Sequence, residues 1–393
     1  MTGETGSRPC YYLVGAAGFP NYGDEFIAAA WLRHLAVVAP EADVWLDCQA
    51  PGSAQLLLDG LHPRLRTVDT LWRLCWQANS EDPWQAAAWV QHAIHDPGLA
   101  PRWVAGIEMV ARADVVHLIG GGYLAGLWPR HVGLLAGAVA AVRRSGGRVV
   151  LTGQGLYPVE DSVAPLLRAL VERCDVVDLR DEPSAEVLFG PGRAAAHTSH
   201  DDAFLALGDG AASIIDHGEP APDYMLCLQP DAGQVSRSTL AARVLETLRA
   251  WHVRPDQLGI VEGIPGLDRE IYALIEHEIP GARFYPFSAI WAQGLPLAAH
   301  QRWISTRFHH HLLAAAAGAG GLAVSVHADY YATKHQSLID LGSGWTLTDA
   351  SDTTEIPPPP TPGGFSAETL RRCADRKAEL ARSIYPPARV AVS

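Results

Sequence analysis

The residues best suited to chemistry sit together in one turn, Ser305-Thr306-Arg307-Phe308-His309. A short apolar strand, Trp303 and Ile304, leads into it, and an apolar helix over 310–317 follows, ended by glycines at 318, 320 and 321. A second strand, 322–326, runs into the polar turn His327-Ala328-Asp329, and another helix opens near Thr333 and carries Lys334. Two successive strand–turn–helix units thus present an arginine, histidines and a lysine at strand carboxyl ends, the edge where open α/β sheets bind ligands. Helix N-termini add N–H groups and partial positive charge there. Such a place suits a small, highly charged anion. The three consecutive histidines, 309–311, do not make a metal site. Neighbours on a helix point ~100° apart, and no histidine stands four residues away to converge with one of them.

Earlier in the chain the same alternation carries other polar turns. An apolar strand over 11–14 precedes a glycine-rich turn that contains Asn21, Gly23 and Asp24 and opens a helix. That turn has neither the G-K-[ST] of a phosphate-binding P-loop nor the G-x-G-x-x-G spacing of dinucleotide sites. Asp24 reads either as a helix-capping carboxylate or as a functional one. A strand over 115–119 runs into Gly120-Gly121-Gly122-Tyr123-Leu124, and a strand over 148–151 into the turn Thr152-Gly153-Gln154-Gly155. A strand over 176–179 ends at Arg180-Asp181-Glu182-Pro183-Ser184, with Pro183 suited to a first helical turn. An Arg180–Asp181 pair capping that helix is the structural alternative to a ligand role.

In this order the turns resemble the motifs of the polysaccharide pyruvyl transferase family: N-x-G-D at 21–24, G-G-G-x-L at 120–124, G-Q-G at 153–155 and R-D-x-x-S at 180–184. D-x-A-F at 201–204, S-x-R-x-H at 305–309 and Y-x-x-K at 331–334 complete the set. After G-Q-G the family continues with Gly-Pro, where this chain has Leu156-Tyr157-Pro158. The resemblance implies two Rossmann-like domains facing a cleft, a GT-B-like α/β fold. It implies transfer of the enolpyruvyl carbons of phosphoenolpyruvate to a sugar as a pyruvate ketal. It places Arg180 on the donor, and D-x-A-F reads as the last strand of the first domain.

The chemistry of that donor fits the residues. Phosphoenolpyruvate carries a carboxylate and a phosphate on one small frame, so it needs at least two cationic anchors, preferably planar forks. Arg180 and Arg307 are expected from opposite walls, closing together and excluding water. Ser305, Phe308 and Lys334 complete the donor side. His309 is the candidate general acid for the methylene carbon, or else a phosphate-binding imidazolium. Asp24 is the candidate base for the sugar hydroxyl. Asn21, Gly121, Gly122 and Gln154 are assigned to the acceptor side or its loops. Trp72, Trp76, Trp84, Trp89 and Trp103 crowd the same half, as sugar-stacking faces or as helix packing.

A chain of 393 residues is long for a single core. The organisation expected is a first domain over 1–207, a linker over 208–222, a second domain over 223–348, a proline-rich spacer over 349–364, and a crossing helix and tail over 365–393. With 48% hydrophobic and 19% charged residues the chain reads as globular, and a net charge of −13 excludes a general nucleic-acid or anionic-membrane surface. No apolar segment is long enough to span a bilayer. The N-terminus is not a signal peptide. Six scattered cysteines without C-x-x-C indicate a reducing cytoplasm. No cofactor or metal is expected; the partners are phosphoenolpyruvate and a sugar or glycan acceptor, which the sequence leaves open as polymer, lipid-linked unit or small glycoside, and self-association is likewise open. Two alternatives stand beside this reading: a GT-B glycosyltransferase using a nucleotide sugar, and a non-catalytic sugar- or anion-binding relative. Against the first, the chain has no glutamate between Glu278 and Glu355, where many retaining enzymes hold the donor with one.

Overall fold

Short runs of β-branched and other apolar residues between turn signals form strands buried on both faces, which is what a parallel sheet with helices on each side demands. In the computed structural model, which describes residues 8–208, 210–216, 218–229, 234–352 and 355–386, the chain divides into two compact units. The first comprises 1–19, 24–205 and 376–393; the second comprises 20–23 and 206–375. Asp209 and His217 of the expected linker, and 387–393 of the expected tail, lie outside the described residues.

The first unit contains β1 (Cys10–Val14), β2 (Asp43–Asp47), β3 (Leu65–Val68), β4 (Val115–Leu118), β5 (Arg148–Gln154) and β6 (Val176–Leu179), paired in the order β3-β2-β1-β4-β5-β6. The second contains β7 (Tyr224–Cys227), β8 (Leu258–Val261), β9 (Arg283–Tyr285), β10 (Arg302–Ser305), β11 (Gly320–Ser325) and β12 (Thr346–Asp349), in the order β12-β11-β10-β7-β8-β9. All pairings are parallel. Read from its own first strand, each sheet has the 3-2-1-4-5-6 order of a Rossmann-like domain, whose direction of winding reverses between strands one and four. The reversals fall between β1 and β4, where Val14 pairs with Leu118, and between β7 and β10, where Ile304 pairs with Leu226.

Several local expectations shift. β3 has no counterpart in the sequence reading: Leu65-Arg66-Thr67-Val68 is short, half-exposed and at a sheet edge. Helix Thr70–Gln77 supplies two of the five tryptophans, and they separate at once: Trp72 is core, its indole N–H donating to Gly15 O at 3.0 Å, whereas Trp76 is exposed. The D-x-A-F stretch is a 3-10 helix, Asp202–Ala206, not a strand, because the Asp202 side chain turns back onto the sheet. The proline stretch expected as an exposed spacer lies against the second unit. Its carbonyls at Pro357 and Pro360 accept from Trp251 Nε1 (2.7 Å) and Arg302 Nε (3.0 Å).

The last helix, Ala367–Ile384, is amphipathic, and from Arg376 onward it belongs to the first unit. Lys377 on it is fully buried. Its ammonium donates to Asp178 Oδ2 at 2.8 Å, Asp202 Oδ1 at 2.9 Å and His200 O at 2.9 Å. Burial alone lowers a lysine pKa, but the two carboxylates outweigh it and the net shift is upward. Asp202 also accepts from Gly120 N (2.8 Å), Trp31 Nε1 (2.7 Å) and Thr152 Oγ1 (2.6 Å), so the triad ties the C-terminal helix to the carboxyl ends of β4 and β5. Lys377→Met leaves two buried carboxylates uncompensated and is expected to cost about 3–5 kcal/mol in urea unfolding. A loss below 1 kcal/mol would show that the triad is not a structural anchor.

Candidate active site

In the second unit the reversal of the sheet is pinned by side chains of the Ser305–His309 turn. Thr306 N donates to Cys227 O (3.0 Å), and Thr306 Oγ1 accepts from Gln229 N (2.7 Å), joining the ends of β10 and β7. Ser305 Oγ accepts from Arg307 N (3.1 Å) and donates to Arg307 O (3.0 Å), closing the turn on itself. Arg307 is the residue before helix Phe308–Ala316. Its side chain is buried, and its Nε donates to Asp268 Oδ2 at 2.8 Å while Nη2 bonds the other oxygen of the same carboxylate. Nη1 donates to Gln229 Oε1 at 3.3 Å. Asp268 Oδ2 accepts further from Gly263 N (2.8 Å) and Ile264 N (3.2 Å). Burial raises the Asp268 pKa, opposed by Arg307 and those two amides.

His309 occupies the first turn of that helix, its ring edge-on to Phe308. It rests on the backbone of Gly23: a Cβ placed there would come 1.8 Å from His309 Nδ1. Any other residue at 23 would displace the imidazole, which gives the glycine of N-x-G-D a physical reason. Asn21 Oδ1 accepts from Gly23 N at 3.3 Å, so Asn21 caps helix Tyr22–Val38. Asp24 is therefore not the cap; it lies within the first turn.

The other two histidines are held separately. His310 is buried against Tyr22, and neither ring nitrogen has a hydrogen-bond partner. His311 stacks on Trp345 with ring centres 4.1 Å apart. Its Nε2 meets Ser343 Oγ at 2.9 Å and its Nδ1 meets His335 Nδ1 at 3.0 Å, while His335 Nε2 meets Thr306 O at 3.3 Å. One proton assignment satisfies the chain. His335 Nε2–H donates to Thr306 O, His311 Nδ1–H donates to His335, and the Ser343 hydroxyl donates to His311. Both rings are neutral, and burial holds both pKa values low, His335 at about 4.

Lys334 lies in the second turn of its helix, because that helix begins at Tyr330, three residues before the expected start. It is buried, with its ammonium 3.4 Å from the Tyr330 ring centre and 5.3 Å from that of Tyr331. It is thus an aromatic-caged cation, not a solvated one. The next residue, His335, bonds the Ser305–His309 turn.

The first unit gathers the remaining residues at the carboxyl ends of β4, β5 and β6. Gly121 forms a bridge with Gln154, and the site of a Gly121 Cβ lies 4.0 Å from Asp24 Oδ1. Gly122 O accepts from Ala125 N (3.2 Å). Gln154 ends β5, where a turn was expected, and its amide braces the strand ends. Nε2 donates to Ile119 O (2.5 Å) and Tyr123 Oη (3.0 Å). Arg180 is buried, with Nε donating to Asp181 Oδ2 at 3.2 Å. Its guanidinium lies on Gly155, where a Cβ would come 1.9 Å from Nη2. Asp181 caps helix Glu182–Phe189, accepting from Ser184 N (3.0 Å), so the capping pair weighed for R-D-x-x-S is present. Sequence reasoning did not find Asp268, Gln229, His335 or Lys377; no local pattern marks them, since each is defined by a partner distant in the chain.

The fold is that of two Rossmann-like domains, the second with a buried arginine at its strand ends. A family model for polysaccharide pyruvyl transferase matches residues 21–327, and the chain belongs to that family of transferases. No curated protein sequence matches it. Among solved structures it is similar to a putative UDP-N-acetylglucosamine 2-epimerase from Listeria monocytogenes, at 13% identity and a TM-score of 0.52, over 97% of this chain and 93% of that one. It is also similar to the S. aureus MnaA–UDP co-structure, at 11% identity and a TM-score of 0.52, over 96% and 90%. These likenesses support the GT-B-type fold alone.

The buried imidazoles set a pH response. Unfolded His335 takes up a proton near pH 6.5, whereas the folded ring resists it until about pH 4. Between these values the unfolded state binds more protons, so stability from this group is full above pH 6.5 and is lost as pH falls. The amount is of order 3 kcal/mol. Urea unfolding of wild type and His335→Asn should show a stability gap that narrows from pH 7 to pH 4.5. A gap independent of pH would contradict the neutral chain.

Proposed function

We propose that the protein transfers the enolpyruvyl carbons of phosphoenolpyruvate to two hydroxyls of a sugar, forming a pyruvate ketal and releasing phosphate. The observation that carries this reading is the turn at the β7/β10 reversal, where a buried arginine fork and a histidine follow one another on a fixed backbone. Asp268 holds the Nε–Nη2 edge of Arg307, and an incoming carboxylate or phosphate exchanges with Gln229 at Nη1. Lys334 and Ser305 support the same donor side, and Phe308 fixes the His309 ring.

His309 delivers a proton to the methylene carbon. The first sugar hydroxyl bonds to C2, the C2–O bond to phosphate breaks, and the second hydroxyl closes the ketal. One hydroxyl proton restores His309 and the other leaves with phosphate. In the first unit Arg180 is the donor-side cation, and Asp24, beside the glycine turn, is the base for the acceptor hydroxyl. Six scattered cysteines without a C-x-x-C pattern support a cytoplasmic site of action.

Steady-state kinetics with phosphoenolpyruvate and a panel of glycosides tests the roles. Arg307→Lys keeps the charge and loses the fork, so it should weaken donor binding by ~1–3 kcal/mol. His309→Ala should lower turnover by about 10²–10⁴ with a smaller effect on donor affinity. Unchanged donor affinity in the first variant, or near wild-type turnover in the second, contradicts the assignment.

A further inference from the structure

The glycine-rich turn that follows β1, residues 15–19, is held differently at its two ends. At its start Gly15 N donates to Asp47 O at 3.1 Å, and Gly15 O accepts from the Trp72 indole at 3.0 Å. At its far end Gly18 adopts φ +91° and lies against Ala50, whose carbonyl oxygen leaves no room for a Cβ. Gly18 N donates to Glu25 Oε1 at 2.6 Å, so a side chain, not a strand, secures this end. Phe19, next along, is 60% exposed and adds little buried apolar surface to hold the turn down.

Glu25 sits where its charge is disfavoured. It is fully buried, and among the described residues its second oxygen, Oε2, has no hydrogen-bond partner. The titratable groups acting on it and on its neighbour Cys48 are all acids: Asp24 on its own helix, Asp47 at the end of β2 and Asp69 ahead of the next helix. The turn above it carries no titratable side chain. Asp47 is itself buried, with Oδ2 accepting from Tyr12 Oη (2.6 Å) and Leu71 N (2.7 Å) and Oδ1 unpartnered. A carboxylate taken out of water without a cation costs far more than the neutral acid. Burial accordingly pushes Glu25 up to about 8, against the bond from Gly18 and with Asp24 adding to the rise.

We propose that Glu25 is a pH-sensitive latch on this turn: as a neutral acid it stays buried and holds Gly18, and as a carboxylate it draws in water and the turn lifts. Opened to water, Glu25 ionises as an ordinary glutamate near pH 4.5; closed, it keeps its proton to about pH 8. Between these values the closed form binds more protons, so the open fraction grows about tenfold per pH unit and levels off above them. The turn runs directly into Pro20 and Asn21, ahead of the Gly23 on which His309 rests. The latch therefore sets the pH range over which the chain entering that segment is held.

Amide hydrogen exchange of the full chain, followed by NMR between about pH 5.5 and 7.5, reads the opening directly once each rate is divided by its intrinsic value. In wild type the protection of Gly18 should fall about tenfold per pH unit, while that of Val116 in β4 holds. Glu25→Gln, an isostere of the neutral acid that cannot ionise, should keep Gly18 protected with no dependence on pH. Asp47→Asn removes the neighbouring acid and should retain the wild-type slope. Three results would overturn the latch: Gly18 protection independent of pH in wild type, a slope that persists in Glu25→Gln, or Val116 losing protection in step with Gly18. The readout uses no substrate, so it is decided separately from the transfer reaction.

Discussion

A guanidinium removed from water must be compensated where it lies, and the second unit is built around how Arg307 meets that demand. Asp268 grips one edge of the fork and with the same oxygen holds the amides of Gly263 and Ile264. Gly263 O in turn accepts from Tyr22 N at 2.9 Å, which brings the 20–23 segment into the unit and sets Gly23 beneath His309. One ion pair thus fixes the ends of β8 and β10, the start of a helix, and the seat of the imidazole. The neutral chain from Ser343 through His311 and His335 to Thr306 O supports the same turn from its other side. Such over-determination holds Arg307 and His309 in fixed positions.

The first unit answers the same topological problem differently. At its reversal the polar cluster is Asp178–Lys377–Asp202, and the backbone N–H of Gly120 is one of its donors. The sheet order is shared, but the second unit sets Arg307 at its reversal, whereas the first buries a lysine there beside a glycine turn and carries Arg180 at the end of β6. A glycine turn admits close approach of other groups to its backbone.

Much of this was legible in the sequence because parallel strands are buried on both faces and read as apolar runs bounded by turns. The polar motifs were legible because each lies within one turn: Ser305 bonds Arg307, and Asp181 bonds Ser184. What escaped was whatever the sheet edge or distant chain decides. β3 carries Arg66 and Thr67 on a half-exposed edge and lacks the apolar run. The start of the Lys334 helix moved to Tyr330, and the burial of its lysine depends on two tyrosines that local pattern assigns equally well to a loop. Asp268 and Lys377 look like surface charges in sequence and are buried in the fold.

The most direct test of the central claim follows the carbons. With phosphoenolpyruvate labelled with ¹³C at C2 and a glycoside acceptor, the account predicts a new quaternary ketal carbon on the sugar and one phosphate released per ketal formed. In deuterated solvent the adjoining methyl group should carry one deuterium, from the protonation assigned to His309. Phosphate release with the label recovered only as free pyruvate, or transfer from a nucleotide sugar with phosphoenolpyruvate untouched, would contradict it.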